Sequence, residues 1–264
     1  MRSDASLRMF AHLAARAESD VDLPRAALLL AEPEYPGLDI VAYLERLDEL
    51  GAQVRAHLFG AGIPAMRADG IPRAATTPRV AQLLQFLYGE LGFHGNTEDY
   101  YDPRNSFLNE VLDRRVGIPI SLALVLVEVS RRAGLSAHGV GFPGHFLVRF
   151  DGDPDDGPSA RTLVDPFEGQ ILDEEALEEL AERHTGRAIA PDVRTLEPAS
   201  KANTLIRMLN NLRGIYAAKE DEPRLRGILE RLEVLAPSTE LRRQIEALGG
   251  TMNPPPRGRT SQLL

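Results

Sequence analysis

An apolar segment at residues 118–129 constrains the fold more than any other part of the chain. A helix that is apolar on nearly every face belongs inside a core rather than on its surface. Pro119 suits the first turn of such a helix, and Gly134 suits the residue that follows its last turn. The sequence therefore predicts one buried helix, from Gly117 to about Arg131, against which the other elements pack.

Short runs that favour β-structure follow this helix. They are Ala137 to Phe142, His145 to Phe150 and Arg161 to Val164. Pro143-Gly144 separates the first two as a tight turn, and the acidic stretch 151–160, rich in Gly and Pro, suits an exposed hairpin loop. We therefore predict a small antiparallel sheet beside the buried helix.

Helical patterns flank this region on both sides. Residues 1–116 carry apolar residues at helical spacing, and one face combines Val41, Leu44, Leu47 and Leu50. Two amphipathic helices are predicted at 202–218 and 222–235, and a short helix around 241–248 covers the exposed face of the second. The fold class is α+β.

Four segments follow from these patterns. We expect a helical N-terminal section at 1–91, a core at 92–195, a helical pair at 196–250 and a disordered tail at 251–264. The turn-rich stretch 60–76 divides the N-terminal section into two helical groups.

Charge and cysteine content exclude several classes of function. Lys and Arg number 30 against 39 Asp and Glu, so the net charge of −9 argues against nucleic acid or an anionic membrane as the partner. No apolar run approaches the roughly 20 residues of a membrane span, and we expect a cytoplasmic protein. Cysteine is absent, which removes disulfides and thiol nucleophiles. His138, His145 and Asp165 lack a further ligand at suitable spacing, so we expect no metal and no cofactor.

Several motifs together resemble the transglutaminase-like superfamily, a branch of the papain-like cysteine fold. They are DYYDPRNS and RVGIPISLAL within residues 92–135, GVGFPGHFLVRF at 139–150 and LVDPFEGQ at 163–170. Within the superfamily, the chain is similar to bacterial Sir-B-type proteins that append a tetratricopeptide segment. The resemblance covers roughly residues 25–245 and implies a papain-like core with a C-terminal helical repeat.

The resemblance also assigns roles to site residues. In that superfamily a cysteine at the start of the buried helix attacks a carbonyl, a strand histidine takes its proton, and an aspartate orients the imidazole. The resemblance implies that His145 and Asp165 occupy the histidine and aspartate positions, and that the cysteine position falls on Pro119. Proline is no nucleophile, so the resemblance implies that the attacking group is missing.

Ser121 carries the nearest hydroxyl, two residues into the helix. Two residues correspond to roughly 200° of rotation, so Ser121 is expected to point away from the cysteine position. Its simplest role is in packing or helix capping, and the alternative is a nucleophile. General-base activation of a water by His145 would raise the rate by a factor of roughly 10² to 10⁴. Losing the nucleophile of a hydrolytic triad lowers kcat by a factor on the order of 10⁶. His145 bonded to Asp165 equally suits a structural clamp between two strands.

The loop before the helix at Phe107 supplies further candidates. The simplest role of Asn105 or Ser106 is to cap that helix. The alternative is that the loop borders a cleft beside His145. The candidates for lining that cleft are Pro119, Tyr101, Asp102 and Asn105.

The C-terminal helical pair matches one tetratricopeptide repeat when Pro237 is taken as its terminal proline. A lone repeat cannot bury its own faces, so it is expected to pack on the core. Its packing positions are Leu209, Leu212, Tyr216, Leu225, Leu229 and Leu232.

The sequence thus favours a non-catalytic protein of the transglutaminase-like type that binds a protein or peptide partner or acts in regulation. The alternative is a hydrolase of the amidase or peptidase kind. It would use Ser121, or a water held by His145 and Asp165.

Overall fold

The computed structural model describes residues 2–61, 77–152, 161–187 and 196–249. The helices are α1 (Arg2–Ala14), α2 (Leu23–Ala31), α3 (Ile40–Phe59), α4 (Thr77–Leu84), α5 (Leu108–Arg114), α6 (Pro119–Arg132), α7 (Glu174–Thr185), α8 (Lys201–Ala218), α9 (Glu222–Leu235) and α10 (Thr239–Ala247). The strands are β1 (His94–Gly95), β2 (Val116–Gly117), β3 (Ala137–Phe142), β4 (His145–Asp151), β5 (Arg161–Asp165) and β6 (Gln170–Leu172). Most of the predicted stretches 60–76 and 151–160, and all of the tail 251–264, lie outside the described residues.

The main sheet is antiparallel, with the strand order β3-β4-β5-β6. Phe142 pairs with His145 across the tight turn, as the Pro143-Gly144 signal predicts. The three predicted strands and the α+β class are confirmed. β6, a strand of three residues that are exposed or half-buried, was not predicted.

The sheet lies between two helical layers because its strands alternate their side chains between two buried faces. One face packs into the large core around α6, through Phe146, Val148, Phe150 and Val164. The opposite face packs with Leu177, Leu180 and Ala181 of α7, through Val140, Phe142, Leu147 and Leu163. The sheet therefore separates α6 from α7.

The predicted buried helix is confirmed as α6, and local signals explain both of its ends. Pro119 occupies the first turn, where its missing N–H costs nothing. After the last turn, Gly134 adopts a φ of +90°, and the Leu135 N–H donates to the carbonyl of Ser130 at 2.9 Å. Residues 119–130 are all buried, so α6 forms the centre of the core.

The part of the chain before α6 differs from its prediction in two respects. The prediction that residues 1–116 are helical is wrong at β1, which pairs in parallel with β2. The predicted apolar face of α3 is only partly buried: Val41 is 57% exposed, and the buried residues of the helix are Leu47, Gly51 and Val54. A Cβ at Gly51 would lie 2.3 Å from the Arg132 Cβ of α6, so this glycine permits the close crossing.

The three predicted C-terminal helices are confirmed as α8, α9 and α10. Five of the predicted packing positions are buried and Leu225 is half-buried. These helices share one continuous apolar core with α6. Within the described residues, no helix combines the length and apolar character that a membrane crossing requires.

Candidate functional site

The structure brings His145 and Asp165 together at one end of the sheet. His145 opens β4 and Asp165 closes β5, the neighbouring strand. The His145 Nε2 donates to the Asp165 Oδ1 at 2.9 Å, and both side chains are buried. The same carboxylate oxygen accepts the Phe167 N–H at 2.8 Å. Asp165 therefore fixes both the imidazole and the turn that follows its own strand.

Arg207 of α8 holds the turn that carries His145. Its Nη2 donates to the carbonyl of His145 at 2.6 Å and to that of Phe142 at 3.1 Å. The guanidinium also lies 5.3 Å from the centroid of the Phe146 ring. Burial lowers the pKa of Arg207. The C-terminal helices thus position the backbone of the candidate site, a role that the sequence analysis missed.

His184, near the end of α7, stacks on His145. The two ring centroids are 4.9 Å apart and the ring planes make an angle of 26°. Gly144 allows this approach, since a Cβ there would lie 2.8 Å from the His184 Cβ and its φ is +67°. Burial lowers the pKa of His184, and the charges of His145 and Arg183 lower it further, while Asp165 opposes them. The contact of His184 with His145 was not predicted from the sequence either.

Ser121 is tied to other groups. Its Oγ donates to the carbonyl of Asn105 at 2.6 Å and accepts the Ile118 N–H at 3.1 Å. The side chain is fully buried, and among the described residues no hydrogen bond joins it to His145. These contacts are those of a residue that caps α6 and fastens the preceding loop to it.

The His145–Asp165 pair and the start of α6 lie on opposite faces of the sheet. His145 alternates with Phe146 and so shares the face of Leu147, which packs against α7. Asp165 shares the face of Leu163 by the same rule, and the stacking of His184 agrees with that orientation. Pro119 and Ser121 belong to α6 on the opposite side. The imidazole therefore faces away from the helix that carries the cysteine position.

The loop before α5 folds inward on Asn105. The Asn105 Nδ2 donates to the carbonyls of Asp99 at 2.7 Å and Tyr100 at 3.2 Å, and its Oδ1 accepts from Asn96 Nδ2 at 3.0 Å. The prediction that Asn105 or Ser106 caps the next helix is wrong, because α5 begins without a side-chain cap. The inward hydrogen bonds of Asn105 hold the loop together instead.

Asp102 caps the short 3₁₀ turn Pro103–Ser106 and pairs with Arg104. Its Oδ1 accepts the Arg104 N–H at 3.0 Å, and its Oδ2 accepts from Arg104 Nε at 2.8 Å. Burial alone would raise the pKa of Asp102, but the hydrogen bonds and positive charge of Arg104 outweigh burial and lower it. Asp102 therefore stabilises the loop as an ionised carboxylate.

Two tyrosines form an exposed aromatic surface beside the pair. Tyr100 is 42% exposed and Tyr101 is 72% exposed, and their rings meet edge to face at 5.3 Å. The Tyr100 ring lies 6.0 Å from that of Phe167, two residues after Asp165. Of the predicted cleft-lining residues, Tyr101 is at the surface, whereas Pro119, Asp102 and Asn105 are buried. We call Tyr100, Tyr101 and Phe167 the tyrosine surface.

His138 lies apart from the candidate site. Its Nε2 is 2.9 Å from the Asp151 Oδ2 and 3.2 Å from the Ser136 Oγ. Along the β3–β4 hairpin, His138 pairs with Arg149, four residues from His145. That spacing is about 13 Å along a strand. His138 therefore does not join His145 and Asp165 as a third ligand.

Comparisons with known proteins agree with this architecture. The family model of the transglutaminase-like superfamily matches residues 41–210, from α3 to α8. The chain is 37% identical over 237 residues to a UPF0162 protein of Xylella fastidiosa strain Temecula1, covering 88% of this chain and 78% of the relative. It is 34% identical over 193 residues to the UPF0162 protein PA3419 of Pseudomonas aeruginosa, covering 73% of this chain and 64% of that relative. A segment of 64 residues is 47% identical to F-box only protein 21 of Mus musculus, covering 24% of this chain and 10% of that protein.

Proposed function

The chain belongs to the transglutaminase-like superfamily, and from that premise we propose that it is a non-catalytic member that binds a protein or peptide partner. Its C-terminal helices serve as a single tetratricopeptide-like unit that supports the core, as in the Sir-B type. Such a protein keeps the architecture of an acyl-transfer enzyme without its attacking group.

One observation carries this proposal: the His145 ring stacks on His184 of α7, and strand alternation puts His145 on the sheet face that packs on α7 rather than on α6. A general base acts only within hydrogen-bond reach of the group that it deprotonates. Pro119 has no group to deprotonate, and the Ser121 hydroxyl already donates to Asn105. The pair is therefore best explained as a structural clamp between β4, β5 and the turn at Phe167.

The tyrosine surface supports a binding role. Exposed aromatic side chains are enriched at protein interfaces because they bury a large apolar area and lose little rotational freedom. Tyr101 is the most exposed of the large hydrophobic residues at this end of the sheet. We propose that it anchors the partner.

One observation favours the second candidate, a weak hydrolase. Among the described residues, no hydrogen bond is made by the Nδ1 of His145, while the Nε2 is held by Asp165. That arrangement leaves one ring nitrogen able to accept a proton from a water. The rate would be low, because a water replaces a fixed nucleophile.

Introducing a single thiol at the start of α6 tests the non-catalytic assignment. The chain contains no other cysteine, so Pro119→Cys gives one reporter, and its pKa follows from the pH dependence of alkylation by iodoacetamide. A helix start lowers a thiol pKa by itself, and a neighbouring histidine lowers it further. We expect the same thiol pKa in Pro119→Cys and in Pro119→Cys/His145→Ala.

A higher thiol pKa in the double variant would place the imidazole beside position 119 and contradict the proposal.

Hydrolysis of p-nitrophenyl acetate distinguishes the weak hydrolase from the non-catalytic protein. We expect equal rates for the wild-type protein and His145→Ala, whereas a faster wild-type rate would support the hydrolase.

A comparative capture experiment tests the tyrosine surface. We expect Tyr101→Ala to lose a partner that the wild-type protein retains from extracts of its own cells, because an anchor residue contributes more than about 1 kcal/mol. Met9→Ala is the matched control, since Met9 is 55% exposed on α1, away from this surface. Equal capture by all three proteins would exclude Tyr101 as the anchor.

A further inference from the structure

A cavity of about 410 Å³ lies on the α6 side of the sheet, between α6, β3 and the first turn of α8. Cavities that bind small molecules have volumes of this order and mostly apolar walls. The walls include Leu23, Ala123, Leu124, Val127, Ala137 and Phe146. The cavity is separate from the tyrosine surface and from the His145–Asp165 pair, which faces α7.

Positive charge collects at the rim of this cavity. Arg131 ends the row of α6 side chains that line the wall, and it is exposed. Within the part of the chain that the structure describes, its side chain forms no hydrogen bond or ion pair. Lys201 directs its ammonium group to the carbonyls of Ser19 and Val21, at 3.1 and 2.7 Å. These two cations belong to a chain whose net charge is −9, so their position at one opening is distinctive.

Negative charge at the rim is largely offset. Among the described lining residues, Glu18 alone is acidic. Its carboxylate accepts the backbone N–H of Lys201 at the start of α8, where the helix dipole favours an anion. His138 also borders the cavity, and its ring is held by Asp151. The guanidinium of Arg131 is therefore the group left to pair with a ligand.

From the apolar walls and this excess of positive charge, we propose that the cavity binds a small amphipathic carboxylate. The apolar body of the ligand packs between α6 and β3, and its carboxylate pairs with Arg131. A neutral ligand of the same shape cannot form the ion pair and binds more weakly. A cationic ligand is repelled by the charges of Arg131 and Lys201. This binding site goes beyond the proposed function and does not depend on it.

Titration with octanoate tests the site, followed by the backbone amide signals of the full-length protein in ¹H–¹⁵N spectra. Gly139 and Ala199 report on the cavity, since both line it and the Ala199 N–H donates to the Gly139 carbonyl at 2.8 Å. We expect octanoate to shift these two signals first. Octan-1-ol should bind more weakly and octylamine more weakly still.

Variants at the rim and wall test each part of the argument. We expect Arg131→Gln to weaken octanoate binding about fivefold, the upper value for an exposed ion pair, and to leave octan-1-ol unaffected. Glu18→Gln keeps an oxygen for the Lys201 N–H and should strengthen octanoate binding about twofold. Ala199→Leu fills the cavity from a half-buried position and should abolish binding. Arg243→Gln, on the exposed side of α10, is the matched control and should bind as the wild type does.

Three results would overturn the proposal. They are unmoved Gly139 and Ala199 signals in octanoate, equal octanoate affinity in Arg131→Gln and Arg243→Gln, and octylamine binding as tight as octanoate binding. Tyr101→Ala should bind octanoate normally, so this experiment and the capture experiment succeed or fail separately.

Discussion

Replacing Leu126 by alanine is expected to lower the free energy of unfolding by about 3–5 kcal/mol, the largest effect of any substitution considered for this protein. Leu126 lies in the middle of α6 and is 1% exposed. It faces Leu87 and Phe93, which precede β1, while other faces of α6 meet the sheet. Truncation there removes apolar contacts and leaves a space that neighbours on several elements cannot fill together.

Urea denaturation followed by circular dichroism measures this change. Val41→Ala is the matched control, because Val41 is an apolar helical residue that is 57% exposed, and its truncation should change the free energy of unfolding by less than about 0.5 kcal/mol. An effect of Leu126→Ala as small as that of Val41→Ala would show that α6 is not the centre of the core.

The difference between these two residues shows which part of the fold the sequence could predict. α6 is apolar on nearly every face, so its burial could be predicted without knowing its neighbours, and Pro119 and Gly134 mark its ends through local backbone chemistry. α3 offers two overlapping apolar faces. The choice between them depends on Gly51 meeting the Arg132 side chain of α6, a contact between residues 81 positions apart, which no local pattern records.

The short strands were missed for a related reason. β1 and β2 are two residues each and pair across the loop and α5 that separate them. A strand of two residues has no alternation that a pattern can reveal. β6 is only three residues long, and its two apolar residues, Ile171 and Leu172, are adjacent, so it shows no alternation either.

The residues of the candidate site also divide into those that the sequence predicted and those that it could not. His145 and Asp165 were identified because they stand in motifs that resemble a known superfamily, and the structure brings them together. Arg207 and His184 reach His145 from α8 and α7, and each occupies an ordinary position on an amphipathic helix. Asn105 was expected to cap a helix, the commonest role of an asparagine before one. Its inward orientation depends on Asn96 and on the carbonyls of the loop.

The second large effect is expected at Asp165. Asp165→Ala should lower the free energy of unfolding by about 3 kcal/mol, because it leaves a buried imidazole and the Phe167 N–H without their acceptor. Asp165→Asn keeps an oxygen that can accept from both the Phe167 N–H and the imidazole but removes the negative charge, so it should cost about 1 kcal/mol. Urea denaturation at pH 7.5 measures both variants.

A double-mutant cycle with His145→Ala then separates a clamp from a pair with no structural role. If the two side chains pin β4 to β5, their coupling energy should be about 1–3 kcal/mol, because each loses its partner in either single variant. The Phe167 N–H remains unsatisfied in both Asp165→Ala backgrounds and so cancels in the cycle. Coupling near zero, with Asp165→Ala no more costly than Asp165→Asn, would mean that the stability of the sheet does not require the pair. The structural explanation of His145 and Asp165 would then be lost, and the hydrolytic alternative would gain support.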